Sequence, residues 1–145
     1  MQIIDGKKTA ADIREELKAR LEKLKSEKNR VPGLVTILVG EDPASKVYVN
    51  MKIKACSEIG MHSKLEKLDA SISEEELLSI IDKYNNDPLF HGILVQLPLP
   101  KHIDEDKVIE SINPSKDVDG FHPNSVGKLV IGKDTFKSCT PFGIM

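Results

Sequence analysis

Phe90-His91-Gly92-Ile93-Leu94-Val95-Gln96-Leu97-Pro98-Leu99-Pro100 is the stretch that decides the fold. Within it, Gly92–Val95 is a short apolar run and reads as a fully buried strand. The run stops at a polar amide, Gln96, and then at Pro98 and Pro100, which lack the N–H that a continuing sheet ladder needs. Ligands of open α/β sheets bind beyond the carboxyl ends of the strands. A buried strand that closes on an amide therefore marks a site as well as an element.

Helical and strand patterns alternate on either side of this strand. Met1–Ile4 reads as a short extended start, and Thr9 as the cap of a helix with apolar positions Ile13, Leu17, Leu21 and Leu24. Gly33–Val39 is β-branched and reads as a strand. Ser45–Ile59 is a second helix ended by Gly60, and His62–Leu68 is a strand of mixed polarity that suits a sheet edge. Ser73 and Glu76 form a capping box for a third helix, which Asn85-Asn86-Asp87-Pro88 terminates. A helix near Asp104–Ile112 follows the decisive strand, and Leu129–Phe136 reads as two short strands around Gly132-Lys133-Asp134. This alternation predicts a three-layer α/β/α architecture with a mostly parallel sheet and helices on both faces. Thr140-Pro141 has the form of a helix start, a hydroxyl cap followed by proline, yet only Phe142–Met145 follow it. The expectation is a domain cut from a longer protein.

Bulk properties narrow the function classes. The chain has 145 residues, enough for one domain with a core, and a formal charge of −2. That balance gives no general attraction to nucleic acid or to anionic membrane. The basic stretch Lys18–Arg30 interleaves with Glu22 and Glu27 at helical spacing and reads as a solvated helix face. No apolar run approaches a membrane span, and no signal-peptide core is visible at the N-terminus. Cys56 and Cys139 form no C-x-x-C pair and read as reduced thiols of a cytoplasmic protein. His62, His91, His102 and His122 lack metal-ligand spacing, so no metal site is expected.

Four residues stand out as candidate chemistry. Tyr48 and Lys52 are four apart on the second helix and share a face, just after the loop that leaves the Gly33–Val39 strand. Alone, this pair is an amphipathic helix with a snorkelling lysine. Gln96 closes the neighbouring strand, and Asp119 lies in Val118-Asp119-Gly120-Phe121, where an acid by itself is more often a turn former. Together the four supply a stacking ring, a titratable amine, a neutral amide and an anionic acceptor. That set suits a flat heterocycle whose amine and ring N–H donate to one carboxylate.

The chain resembles the N-terminal catalytic domain of the bifunctional methylenetetrahydrofolate dehydrogenase/cyclohydrolase family. The matching segments are G-E-D-P-A-S-K-V-Y-V-N-M-K-I-K-A-C (Gly40–Cys56), G-I-L-V-Q-L-P-L-P (Gly92–Pro100), P-S-K-D-V-D-G-F-H-P (Pro114–Pro123) and C-T-P-F-G (Cys139–Gly143). The resemblance runs nearly end to end, and one departure is Ser138, where the family usually has proline.

The resemblance implies a domain over residues 1–145 that belongs to folate one-carbon metabolism and, through it, to purine biosynthesis. The parent enzyme would oxidise 5,10-methylenetetrahydrofolate with NADP and hydrolyse the methenyl product to 10-formyltetrahydrofolate. Lys52 would be the catalytic lysine, oriented by Gln96. Tyr48 would stack on the tetrahydrofolate substrate, Val95 and Leu97 would flank it, and Asp119 would anchor its pterin ring.

A lysine works as a base or proton shuttle where burial draws its pKa toward neutrality, and a neutral amide can orient it without adding a charge that opposes this. In the family, NADP is held mainly by a dinucleotide domain after the C-T-P-x-G segment, homodimer contacts lie largely there, and a terminal helix returns to the catalytic domain. None of these parts is found in this sequence, and no glycine-rich fingerprint opens a helix. The alternative is a non-catalytic folate-binding or structural fragment. A short-chain dehydrogenase, which also uses Tyr-x-x-x-Lys, needs an N-terminal glycine-rich turn, and Met1–Lys25 has only Gly6.

Overall fold

A computed structural model describes residues 5–144. The expected extended start, Met1–Ile4, lies outside the described residues. Nine elements follow in chain order: α1 (Gly6–Lys28), β1 (Gly33–Val39), α2 (Pro43–Ile59), β2 (His62–Leu68), α3 (Glu74–Asn86), β3 (Gly92–Val95), α4 (Glu105–Ser111), α5 (Pro123–Val130) and α6 (Cys139–Ile144). Among the described residues, no helix is long and apolar enough to cross a membrane.

The three strands form one parallel sheet in the order β2-β1-β3. The chain moves from β1 to β2 in one direction and returns past β1 to β3 in the other. Parallel crossovers are right-handed, so this reversal puts α2 and α3 on opposite faces of the sheet. The expected three-layer arrangement results. Register aligns Val35 with Ile93 and Ile37 with Val95. These residues share one face and join Leu77, Ile81 and Tyr84 of α3 and Val108 of α4 in the main core cluster. Thr36 and Leu38, on the alternate face, are also buried, and α2 packs over β1 and β2 with Val49 fully enclosed. β1 is thus buried on both faces, as a central parallel strand must be. β2, at the edge, alternates between exposed and half-buried positions.

Several local expectations need correction. Asp5, rather than Thr9, caps α1: its carboxylate accepts from the Lys8 N–H at 3.0 Å, and Thr9 sits inside the helix with its hydroxyl donating to the Asp5 carbonyl. A carboxylate one turn upstream outcompetes the hydroxyl for the orphan N–H groups. α2 begins at Pro43, two residues before Ser45, because Asp42 accepts from the Ser45 N–H at 2.7 Å and Pro43 supplies a helical first position. The proposed strands within Leu129–Phe136 are absent. His122 caps α5 through Nδ1, Pro123 opens it, and the helix runs to Val130 before a turn at Gly132, whose φ is 70°. α6 forms and starts at Cys139, so Thr140 lies in its first turn instead of capping it. The apolar stripe of α1 is only partly covered, with Ile13 at 51% and Leu17 at 40% exposure.

The remaining boundaries follow the sequence closely. Ser73 and Glu76 make the reciprocal capping box of α3. Gly60 ends α2 with φ 79°, a left-handed conformation that costs glycine nothing. The Lys116–Asp117 segment adds a short parallel bridge beside β3, where the Ile93 N–H donates to the Lys116 carbonyl at 2.9 Å. Gly92 permits that approach, since a Cβ there would stand 2.6 Å from Val118 Cγ1.

Candidate active site

β1 and β3 are neighbours whose outgoing connections diverge, one to α2 and the other toward α4 beside α3. Such a divergence opens a crevice at the carboxyl ends of the two strands. Every candidate side chain comes from an element bordering that crevice.

Gln96 is the first residue past β3. Its backbone N–H still donates to Ile37 O at 2.9 Å, which fixes its position against β1. The side-chain amide is held at both ends: Nε2 donates to Leu97 O at 2.8 Å, and Oε1 accepts from Lys52 Nζ at 3.1 Å. The first bond orients the amide so that its oxygen faces α2. Lys52 reaches it from the third turn of that helix and is half-buried. The base of α2 is fixed by the Asp42 cap, which holds the Asp42 carboxyl below its usual range through the Ser45 backbone N–H.

Asp119 completes the group from the loop between the Asp117 bridge and α5. Burial pushes its carboxyl above the ordinary range; the nearby Lys52 charge opposes this and the Asp117 charge adds to it. Lys52 is thus bonded to the Gln96 amide, and its charge reaches Asp119 without forming an ion pair with it. Tyr48, one helical turn before Lys52, is 61% exposed and keeps its ring free to stack. A small cavity between β3 and α4 is lined by Asp117, Asp119 and Phe121 together with the apolar Ile93, Val95, Leu97, Ile109 and Ile112; Tyr48, Lys52 and Gln96 do not line it. Val95 is 6% exposed and belongs to the core cluster, so it forms the floor of this region, while Leu97 is half-buried at its edge. The broader surface concavities lie elsewhere, one of them between α1 and α2 along Lys18, Glu22 and Glu58, and they lack this convergence of groups.

The sequence reading missed Asp117, Ser125 and His122. Asp117 and Ser125 are each 3% exposed, and the Ser125 hydroxyl donates to Asp117 Oδ2 at 2.7 Å. The available signal was the Asp-x-x-Gly spacing of Asp117 and Gly120, an Asx-turn pattern overshadowed by the second acid, Asp119.

Fold and site together define an open parallel α/β domain with a lysine, an amide and a carboxylate gathered at its topological switch point. The family model "Tetrahydrofolate dehydrogenase/cyclohydrolase, catalytic domain" matches residues 4–119, and the chain belongs to that family. A relative from Halalkalibacterium halodurans, called bifunctional protein FolD, is 62% identical over 143 residues, covering 99% of this chain and 51% of its own length. The crystal structure of the bifunctional FolD methylenetetrahydrofolate dehydrogenase/cyclohydrolase of Campylobacter jejuni superposes with a TM-score of 0.93 at 51% identity, over 97% of this chain and 50% of that one. The Trypanosoma brucei FolD, solved with NADP cofactor and inhibitor, gives a TM-score of 0.94 at 35% identity, over 99% of this chain and 50% of that one. The chain therefore spans about half the length of the curated relatives it matches.

Proposed function

We propose that this chain is the folate-binding catalytic half of an enzyme that oxidises 5,10-methylenetetrahydrofolate with NADP and hydrolyses the methenyl product to 10-formyltetrahydrofolate. The observation that carries this reading is the 3.1 Å bond from Lys52 Nζ to Gln96 Oε1, made beside the half-buried Asp119 carboxylate. Family membership supports it.

In this reading Asp119 accepts from the amine and ring N–H of the pterin, a charge-assisted pair that fixes the heterocycle in its plane. Tyr48 covers one face of the ring, and Leu97 lies against it. Lys52 sits at the one-carbon unit, where it moves the proton as water attacks the methenyl carbon. Gln96 keeps the amine in place without bringing an anion next to it.

The N-terminus of α2 does not fit the pyrophosphate of NADP. The turn between β1 and α2 carries Glu41 and the capping carboxylate of Asp42, which would repel a pyrophosphate at that helix N-terminus. In this reading the cofactor site, the returning helix and the homodimer contacts lie in the half of the relatives that this chain does not cover. The two free cysteines suit a cytoplasmic protein.

Calorimetry with folic acid on this chain, paired with a methenyl-hydrolysis assay, tests the proposal. Saturable one-site binding supports it, with or without turnover. Absence of binding favours the second reading, a structural fragment, because the half-buried carboxylate would then have no ligand.

A further inference from the structure

Asp117 is a carboxylate 3% exposed at the edge of the sheet, and both of its oxygens are engaged. Oδ1 accepts from the Gly120 N–H at 3.0 Å, and Oδ2 accepts from the His122 N–H at 3.1 Å and the Ser125 hydroxyl at 2.7 Å. All three partners are uncharged donors, and they span the loop from Asp119's neighbour to the first turns of α5. An acceptor-only group is required here, because an amide would present N–H donors to one of these donors.

The anchor is itself tied to α3 and β3. Lys116, the residue before it, donates through its side-chain Nζ to Tyr84 O at 2.8 Å and Asp87 O at 2.9 Å, at the end of α3. Ile93 of β3 donates to the Lys116 carbonyl at 2.9 Å. Asp119 lies inside the turn that the Asp117–Gly120 bond closes, so that bond fixes the backbone from which its carboxylate projects. Gly120 holds φ 71° with Phe136 O directly behind it, which removes slack on the far side.

We propose that Asp117 is the positioning residue of the site: it sets the turn that presents the Asp119 carboxylate to the pterin, and it acts on ligand only through Asp119. The inference rests on the folate reading given above and assigns a role within it to a residue that never touches the ligand. The charged groups acting on Asp119 are Lys52 from α2 and Asp117 from its own loop. Removing the Asp117 charge therefore lets Asp119 ionise at lower pH, while loosening the turn weakens its aim.

A double-mutant cycle on this chain tests the proposal, with folic acid as the probe and affinity followed by calorimetry between pH 5 and 8 as about the accessible window. Asp117→Asn is expected to weaken binding about tenfold near neutral pH, the scale of one hydrogen bond to a charged group. The acid limb of its affinity profile is expected to move to lower pH. Asp117→Asn combined with Asp119→Ala is expected to bind no worse than Asp119→Ala alone. Additive losses in the double variant would overturn the proposal, since Asp117 would then act independently of Asp119. Ser125→Ala removes one donor from Asp117 and provides a milder version of the same cycle; it carries the test if thermal melting shows that Asp117→Asn does not fold. If wild-type binds folic acid and Asp119→Ala binds equally well, the anchor role of Asp119 fails, and the positioning proposal fails with it. If wild-type does not bind at all, the folate reading fails first, so the two failures are separable.

Discussion

The Lys52 amine donates to the Gln96 side-chain oxygen at 3.1 Å, across the divide between a helix and the end of a neighbouring strand. The two residues are 44 positions apart in sequence, and neither approaches the other through local structure. The pairing exists because β1 and β3 are adjacent while the chain segments leaving them part company. A second bond, from Gln96 Nε2 to Leu97 O, leaves the amide only one orientation that satisfies both ends.

Under the proposed function, Lys52→Met in an enzyme that carries this domain is expected to abolish methenyl hydrolysis while folate affinity changes by no more than about threefold. A methionine keeps the packing of the lysine stem and removes the proton-handling group. Steady-state hydrolysis and equilibrium binding measured on the same preparation check this. Retained hydrolysis would remove Lys52 from the mechanism.

Asp119→Asn is expected to weaken folate binding by about ten- to a hundredfold, the range for losing a hydrogen-bonded charge. The same change is expected to stabilise the unliganded chain at neutral pH. The Asp119 carboxyl is raised by burial, so the folded state binds its proton more tightly than the unfolded state does. Its contribution to stability is full below the unfolded pKa, about 3.9, and is lost as pH rises through the raised folded value. Melting curves of both forms should therefore separate near pH 7, with the variant higher, and converge as pH falls to about 4. A variant that melts lower than wild-type near neutrality would contradict the desolvation of this carboxylate.

Gly120→Ala meets two obstacles. The residue has φ 71°, and a Cβ would stand 2.7 Å from the Phe136 carbonyl oxygen. A loss of stability of about 1–3 kcal/mol is expected, together with weaker folate binding, because the turn carrying Asp119 must shift. Denaturant melts with unchanged slope check the first part, and calorimetry the second.

Tyr84→Phe tests the core on the far side of the sheet. The buried Tyr84 hydroxyl donates to Glu66 and accepts from Lys64 Nζ at 2.6 Å. The Tyr84 bond is the first cause, and the Lys64 bond the second, of a Glu66 carboxyl held below its usual range. Stability from Glu66 is present above its unfolded pKa, about 4.3, and is lost as pH falls through the depressed folded value. The variant is expected to lose about 1 kcal/mol at neutral pH, with wild-type and variant drawing together in acid. Folate affinity should not change, which separates this cluster from the site.

Much of this architecture was legible from residue patterns because its determinants are local. The run Gly92–Val95 with its closing prolines, the Ser73/Glu76 capping box and Gly60 after α2 all act within a few residues, and each element appears where they place it. Errors arose where two local signals competed. Asp5 and Thr9 both offer oxygens to the start of α1, and only the structure shows that the carboxylate takes the cap. Leu129–Phe136 has a strand-like composition, but β3 is already bridged by the Asp117 segment, and His122 with Pro123 commits the chain to a helix. Asp117 escaped notice because its burial depends on the sheet edge beside Ile93, a contact with no local signature. The candidate site was readable as four residue types, yet the Lys52–Gln96 contact follows from strand order.

The central claim is that Tyr48, Lys52, Gln96 and Asp119 border one pterin-binding cleft at the carboxyl ends of β1 and β3. Mapping amide chemical-shift changes in the isotope-labelled chain as folic acid is added tests it most directly. The account predicts saturable shifts concentrated in α2 around Tyr48–Lys52, in Gln96–Leu97 and in Val118–Gly120, with the Glu66–Tyr84 region unmoved. Shifts centred between α1 and α2 at Lys18 and Glu58, or no saturable shifts at all, would contradict it.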